Sequence, residues 1–213
     1  MDLLDIVLHL DTHLLNLVAE YGLWIYAILF AIIFSETGFV VTPFLPGDSL
    51  LFVAGAIAAT GEMNLWILLA LLTAAAILGN TVNYAIGRWL GKTFFKEKGA
   101  RWLSRKHLDR AHNFYERHGG KAIVFSRFLP VVRTYVPFVA GMAQMTPKQY
   151  TMYNVVGGVA WVGSLTLAGY FFGNIPWVKG NLSAIIIGII VVSALPLMYA
   201  VVKSRLDKRK AAA

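Results

Sequence analysis

Glu36, Asp48, Arg127 and Arg133 are ionisable residues set inside stretches that are otherwise apolar enough for lipid. The two acids lie in residues 34–50, FSETGFVVTPFLPGDSL, together with Pro43, Pro46 and Gly47. The two bases lie in residues 122–142, which Pro130 and Pro137 interrupt. A charge at the bilayer centre costs roughly 2.5–3.5 kcal/mol on insertion scales, so it must be paired, hydrated or close to the surface. Two acids in one broken segment and two bases in another predict pairing between the segments. Broken backbone inside a membrane must line protein or a wet cavity, because lipid satisfies no amide or carbonyl group. Amides freed after Pro46-Gly47 and after Pro130 can bind an anion. Arg127 and Arg133 can clamp a phosphate through bidentate hydrogen bonds. A nearby carboxylate competes for the same guanidinium groups, so protonating Glu36 or Asp48 would release them for an anionic substrate. The expected chemistry is anion binding linked to protons. Structural salt bridges that hold the two segments together are the alternative.

Other chemistries find less support. His107, His112 and His118 lie in a basic segment without cysteine, where exposed helix positions are the expected reading, so no metal site is expected. Ser35 and Ser126 lack a neighbouring histidine base, and no GxxxxGK[ST] phosphate loop is present. The chain is therefore not expected to be an enzyme or to hold a cofactor. Absence of cysteine rules out disulfides. Asn80 and Asn83 lie on an apolar span, where helix packing is the common role.

The elements that must position these residues follow from composition. Of 213 residues, 58% are hydrophobic and only 14% charged, against about a quarter charged in a soluble domain. The apolar residues fall in long runs, which predicts an all-α polytopic membrane protein. Residues 1–20 read as an interfacial amphipathic helix, with Leu3, Ile6, Leu10, Leu14 and Leu17 on one face. Asp2 and Asp5, with no basic residue nearby, argue against a signal peptide. Residues 21–60 contain two runs, each short for a span. The first is expected to stop at Ser35-Glu36, and the pair reads as a re-entrant hairpin turning at Pro43, Pro46 and Gly47. A span over 65–87, a basic segment over 88–121 and a second re-entrant hairpin over 122–143, turning at Pro130 and Pro137, come next. Spans over 150–172 and 182–202 and a basic tail over 203–213 complete a single membrane domain, 1–213.

Charge sets the orientation. The net charge is +8, yet residues 1–87 contain no lysine or arginine. The basic clusters abut apolar spans, so they read as cytoplasmic segments that meet anionic phospholipids, not as a nucleic-acid surface. The C-terminus is thus expected inside and the N-terminus outside. Trp66, Trp89 and Trp177 fit interfacial positions. The two hairpins also resemble each other. Phe34-Ser35-Glu36 sets beside Phe125-Ser126-Arg127, and Val53-Ala54-Gly55 beside Val139-Ala140-Gly141. Each is followed by a span with paired glycines, Gly87 and Gly91 or Gly169 and Gly173. A single crossing between the copies makes the repeat inverted, the plan by which secondary transporters build sites near the midplane.

The segments ETGFVVTPFLPGDSLLFVAG, NYAIGRWLG and FSRFLPVVRTYVPFVAGM together resemble the bacterial DedA family, over nearly the whole chain. That resemblance implies an inner-membrane protein with two opposed re-entrant hairpins, akin to the VTT-domain lipid scramblases. It places the family's functional acids on Glu36 and Asp48 and its functional arginines on Arg127 and Arg133. It also implies a translocase for an anionic lipid carrier, with undecaprenyl phosphate as the expected cargo. Arg127 and Arg133 would bind the phosphate, and Glu36 and Asp48 would gate the site or couple it to protons and the proton motive force. The family often carries Asp where this chain has Asn80, so one titratable group is missing here. A proton-coupled antiporter of small cations or drugs is the second reading. A non-transporting structural protein that supports envelope assembly is the third. No feature of the sequence sets the oligomeric state, and a homo-oligomer is compatible with all three.

Overall fold

The computed structural model describes residues 22–39, 47–96 and 120–180, together with Gly188. The expected interfacial helix over 1–20, Pro43 and Pro46, most of the basic segment, nearly all of the 182–202 span and the tail lie outside the described residues. Among the described residues there are seven helices and no strand. We label them α1 Trp24–Gly38, α2 Gly47–Ala58, α3 Leu65–Lys96, α4 Lys121–Ser126, α5 Pro130–Met142, α6 Pro147–Phe172 and α7 Pro176–Gly180. Two of them, α3 over Leu65–Gly91 and α6, are long and apolar enough to cross a membrane.

Three boundaries differ from those expected. Helix α1 does not stop at Ser35-Glu36 but runs on to Gly38. Thr37 Oγ1 donates back to Ile33 O at 2.8 Å, and the Phe39 amide closes the last turn on Ser35 O. Glu36 thus lies within the helix, and a partner outside the helix meets its charge. Helix α3 continues past Gly87 to Lys96 because no proline intervenes. Pro137 is not a turn residue. It is buried in the body of α5, and the break instead falls between α4 and α5, just before Pro130. Leu129 is extended there (φ −115°, ψ 102°), which lets Pro130 open the helix where its missing amide costs nothing. Asn64 starts α3, its Oδ1 accepting from the amides of Trp66 (3.0 Å) and Ile67 (3.2 Å).

Contact registers give the helix directions. Tyr26 at the start of α1 accepts from the Asn64 amide, and Gly38 at its end meets Gly79, so α1 runs alongside α3 in the same sense. Helix α2 runs with α6, since Phe52 meets Gly169 and Ala56 meets Gly173. Helix α5 runs with α3 through Phe138–Gly87 and Met142–Gly91, and α4 runs with α6 through Gly120–Tyr153 and Val124–Gly157. Helices α3 and α6 run oppositely, because Tyr84 stacks on Tyr150 while Ile77 meets Gly158. It follows that α1 opposes α2 and α4 opposes α5. Each helical pair folds back on itself.

The glycines make this cross-packing possible, and they do so twice with equivalent residues. A Cβ on Gly55 would strike Thr166 O and reach the Tyr170 amide; one on Gly141 would strike Tyr84 O and reach the Arg88 amide. Val53-Ala54-Gly55 and Val139-Ala140-Gly141 therefore play the same part in the two halves. The larger apolar core joins α1, α2, α3 and α6 through Leu29, Ile33, Leu51, Leu68, Leu72 and Val162, all fully buried. A smaller one gathers Tyr84, Ile123, Ala140, Met145 and Tyr150.

Candidate functional site

The helix ends that flank the two breaks converge, and the four in-segment charges lie at those ends. Glu36 occupies the last turn of α1, Asp48 the first turn of α2, Arg133 the first turn of α5, and Arg127 caps the C-terminus of α4. An acid at a helix C-terminus and a base at a helix N-terminus each face the unfavourable end of the helix dipole. Glu36 and Arg133 are in that position, and they pair with each other: Arg133 Nη2 donates to Glu36 Oε1. Arg133 Nη1 donates to Asp48 Oδ1 at 2.6 Å. One guanidinium thus holds two carboxylates from two different helices. The same Asp48 oxygen accepts from Trp161 Nε1 at 2.9 Å, and the Arg133 guanidinium lies 4.9 Å from the centre of the Trp161 ring. Gly47 makes room for this arrangement, since a Cβ there would fall on Glu36 Oε2.

Arg127 is brought close but is held differently. Among the described residues, the ion pairs are those of Arg133 with Glu36 and Asp48, and Arg127 forms none. Its Nη2 donates to Asn154 Oδ1 at 2.5 Å, and more weakly to the carbonyls of Asn154 (3.3 Å) and Ala76 (3.4 Å). With its amide turned to suit its neighbours, Asn80 accepts from Arg127 Nη2 at 3.0 Å and donates to Thr37 O at 3.2 Å. Arg127 is 2% exposed, so this charge is buried among neutral acceptors. Among the described residues, its Nε and the Nε of Arg133 find no hydrogen-bond partner.

The expected pairing of two acids with two bases is therefore uneven. Arg133 takes both acids and Arg127 takes neither. Asn80 and Asn83, read from sequence as packing residues, sit at the centre. Asn83 Nδ2 donates to Thr134 O (2.8 Å) and Thr37 O (3.3 Å), the carbonyls just after Arg133 and Glu36. It thereby fixes the backbone on both sides of the ion pair. Replacing Asn83 by Leu is expected to cost about 1–3 kcal/mol, because two buried carbonyls lose a donor. Thermal unfolding in detergent measures this, and an unchanged melting temperature would show that Asn83 is not needed to hold α1 against α5. Asn154 and Trp161 were not singled out from sequence. For Asn154 the signal was present, an amide inside the apolar run of α6. Trp161 looked like any core aromatic.

A VTT-domain family model matches residues 45–171, which run from just before α2 to the end of α6. Protein DedA of Escherichia coli strain K12 is 52% identical over 212 residues, covering 99% of this chain and 97% of that protein. The chain belongs to the DedA family. An uncharacterized membrane protein of Mycobacterium leprae is 43% identical over 79% of this chain and 76% of its own length. The inner membrane protein YghB of E. coli K12 is 39% identical over 79% of this chain and 74% of its own length. No solved structure matches the chain. The names of these DedA-family relatives accord with a membrane location, as do the two spanning helices. Glu36 lies outside the matched VTT domain, whereas Asp48, Arg127 and Arg133 lie within it. The near full-length likeness to the E. coli protein extends the family to α1.

Proposed function

We propose that this DedA-family protein is a translocase for an anionic lipid carrier, with a polyprenyl phosphate such as undecaprenyl phosphate as cargo. The pairs α1–α2 and α4–α5 are its two re-entrant hairpins, entering from opposite leaflets as an inverted repeat. The opposed helix directions support this reading, as do the equivalent glycine contacts in the two halves. The C-terminal end of α3, which leads into the basic segment, faces the cytoplasm of a bacterial inner membrane, and the N-terminus faces the periplasm.

One observation carries the proposal. Arg127 is a buried guanidinium with no carboxylate partner among the described residues, beside a second guanidinium held by two. A buried cation held only by neutral acceptors is suited to an anion from outside the chain. The phosphate docks on Arg127 and then competes with Asp48 and Glu36 for Arg133. Protonation of a displaced carboxylate balances the added charge. The hairpin breaks supply the polar path, and the prenyl tail stays in lipid.

Cation antiport is less well supported, since both acids are already engaged by Arg133. A purely bracing role has one observation in its favour: the Arg133 cluster ties α1, α2 and α5 together. Arg127 separates these readings. In vesicles reconstituted with the full chain, Arg127→Ala is expected to slow the leaflet exchange of a prenyl phosphate about 10–100-fold, the equivalent of lost charge-assisted hydrogen bonds. The same variant should keep its melting temperature within a few degrees, since water can then donate to the freed amide oxygens of Asn80 and Asn154. Wild-type exchange by Arg127→Ala would remove the basis of the translocase reading.

A further inference from the structure

Trp161 touches both members of one ion pair. Its Nε1 donates to Asp48 Oδ1, the oxygen that also accepts from Arg133 Nη1. Its ring lies against the Arg133 guanidinium within cation–π range. One side chain therefore holds the acid by its edge and the base by its face. It is also the one buried tryptophan among those described: Trp24, Trp66, Trp89 and Trp177 are exposed.

The three charged partners differ in how far they reach outward. The side chain of Glu36 is 0% exposed, that of Arg133 5% and that of Asp48 16%. Asp48 is thus the side from which an anionic headgroup reaches Arg133. A headgroup arriving there takes Nη1 and displaces Asp48, while Glu36, farther in, stays on Nη2. A carboxylate displaced from its cation is less costly where a donor stays on it. The indole N–H is one such donor, already in place.

We propose that Trp161 is the positioning residue that lets an anionic headgroup exchange with Asp48 on Arg133. The indole N–H retains the displaced carboxylate, and the ring face retains the guanidinium. This deepens the translocase reading and rests on it. The charged groups surrounding the exchange are Glu36 from α1, Asp48 from α2, Arg133 from α5 and Arg127 after α4. Among the described residues, α3 faces this cluster with the amides of Asn80 and Asn83, and α6 with Asn154 and Trp161.

The test uses the full chain in nanodiscs, with farnesyl phosphate as the probe and farnesol as its uncharged counterpart. Binding is followed by equilibrium dialysis and by tryptophan emission. Farnesyl phosphate, and not farnesol, should change the emission of the wild-type protein, and Trp161→Phe should abolish that change. Trp161→Phe keeps a ring but removes the donor. It should bind the probe about tenfold or more weakly at neutral pH. Adding Asp48→Asn to Trp161→Phe removes the competing carboxylate and should restore the wild-type affinity. If Trp161→Phe binds with the wild-type affinity, or if adding Asp48→Asn restores nothing, Trp161 only packs, and the translocase reading survives. If the wild-type protein fails to distinguish farnesyl phosphate from farnesol in either readout, the translocase reading falls and this assignment falls with it.

Discussion

Replacing Arg133 by Leu is expected to destabilise the protein by about 3–5 kcal/mol, the cost of breaking a buried ion pair from one side. Glu36, which is fully buried, and Asp48 would be left as two carboxylates without their shared cation. Desolvated carboxylates that lose their partner cost far more than the pair itself contributed. Neutralising both acids together with the base should therefore recover most of the loss. The triple variant Glu36→Gln, Asp48→Asn, Arg133→Leu is expected to melt close to the wild type in detergent while remaining inactive in prenyl-phosphate exchange. Near-UV circular dichroism on heating and the vesicle assay read the two quantities separately. If the triple variant regains exchange as well as stability, the cluster is only a brace. If the single variant melts like the wild type, the ion pairs do not hold α1, α2 and α5 together at all.

The second large effect comes from the glycine contacts. A Cβ on Gly169 would fall on the carbonyl oxygen of Phe52, and one on Gly87 would fall on that of Phe138. In both cases the obstacle is backbone, which cannot rotate away as a side chain can. Gly169→Leu and Gly87→Leu should each cost at least about 1–3 kcal/mol, the usual range for overpacking, with more expected where main chain meets main chain. The two effects should be similar, because the contacts are equivalent in the two halves. Gly163, on the same helix as Gly169, has nothing within 4 Å of a built Cβ. Gly163→Ala should leave stability unchanged or raise it by up to about 1 kcal/mol through reduced backbone entropy in the unfolded chain. Titration with sodium dodecyl sulfate from a mild detergent measures the series. Equal tolerance of leucine at Gly169 and of alanine at Gly163 would contradict the close approach of α2 to α6.

Much of the plan was legible before any coordinates. Apolar runs with a two-part break predicted interrupted helices, and α1 and α2, like α4 and α5, are separate helices of opposed direction. The repeated Val-Ala-Gly and paired-glycine patterns marked residues that turn out to share equivalent contacts. The exact breaks were less legible. Ser35-Glu36 looked like a helix stop because a charge in an apolar run reads as an exit from lipid. The helix passes through because Arg133, almost a hundred residues away, meets that charge. Pro137 looked like a turn because proline removes a donor, yet packing against α3 carries the helix past it.

The amino-acid sequence by itself determined which groups are available: two acids and two guanidiniums in the broken segments, the glycines that admit close helix approach, and a charge bias that leaves residues 1–87 without lysine or arginine. Those properties reside in residue type and local spacing, and no fold is needed to read them. Only the tertiary structure decided the partners. Residue types predicted pairing of two acids with two bases but not which with which; Arg133 takes Glu36 and Asp48, while Arg127 rests on Asn80 and Asn154. Pairing in a low-dielectric site depends on direction and on distances of a few ångströms. These are set by how four helix ends converge, and no single helix encodes that convergence.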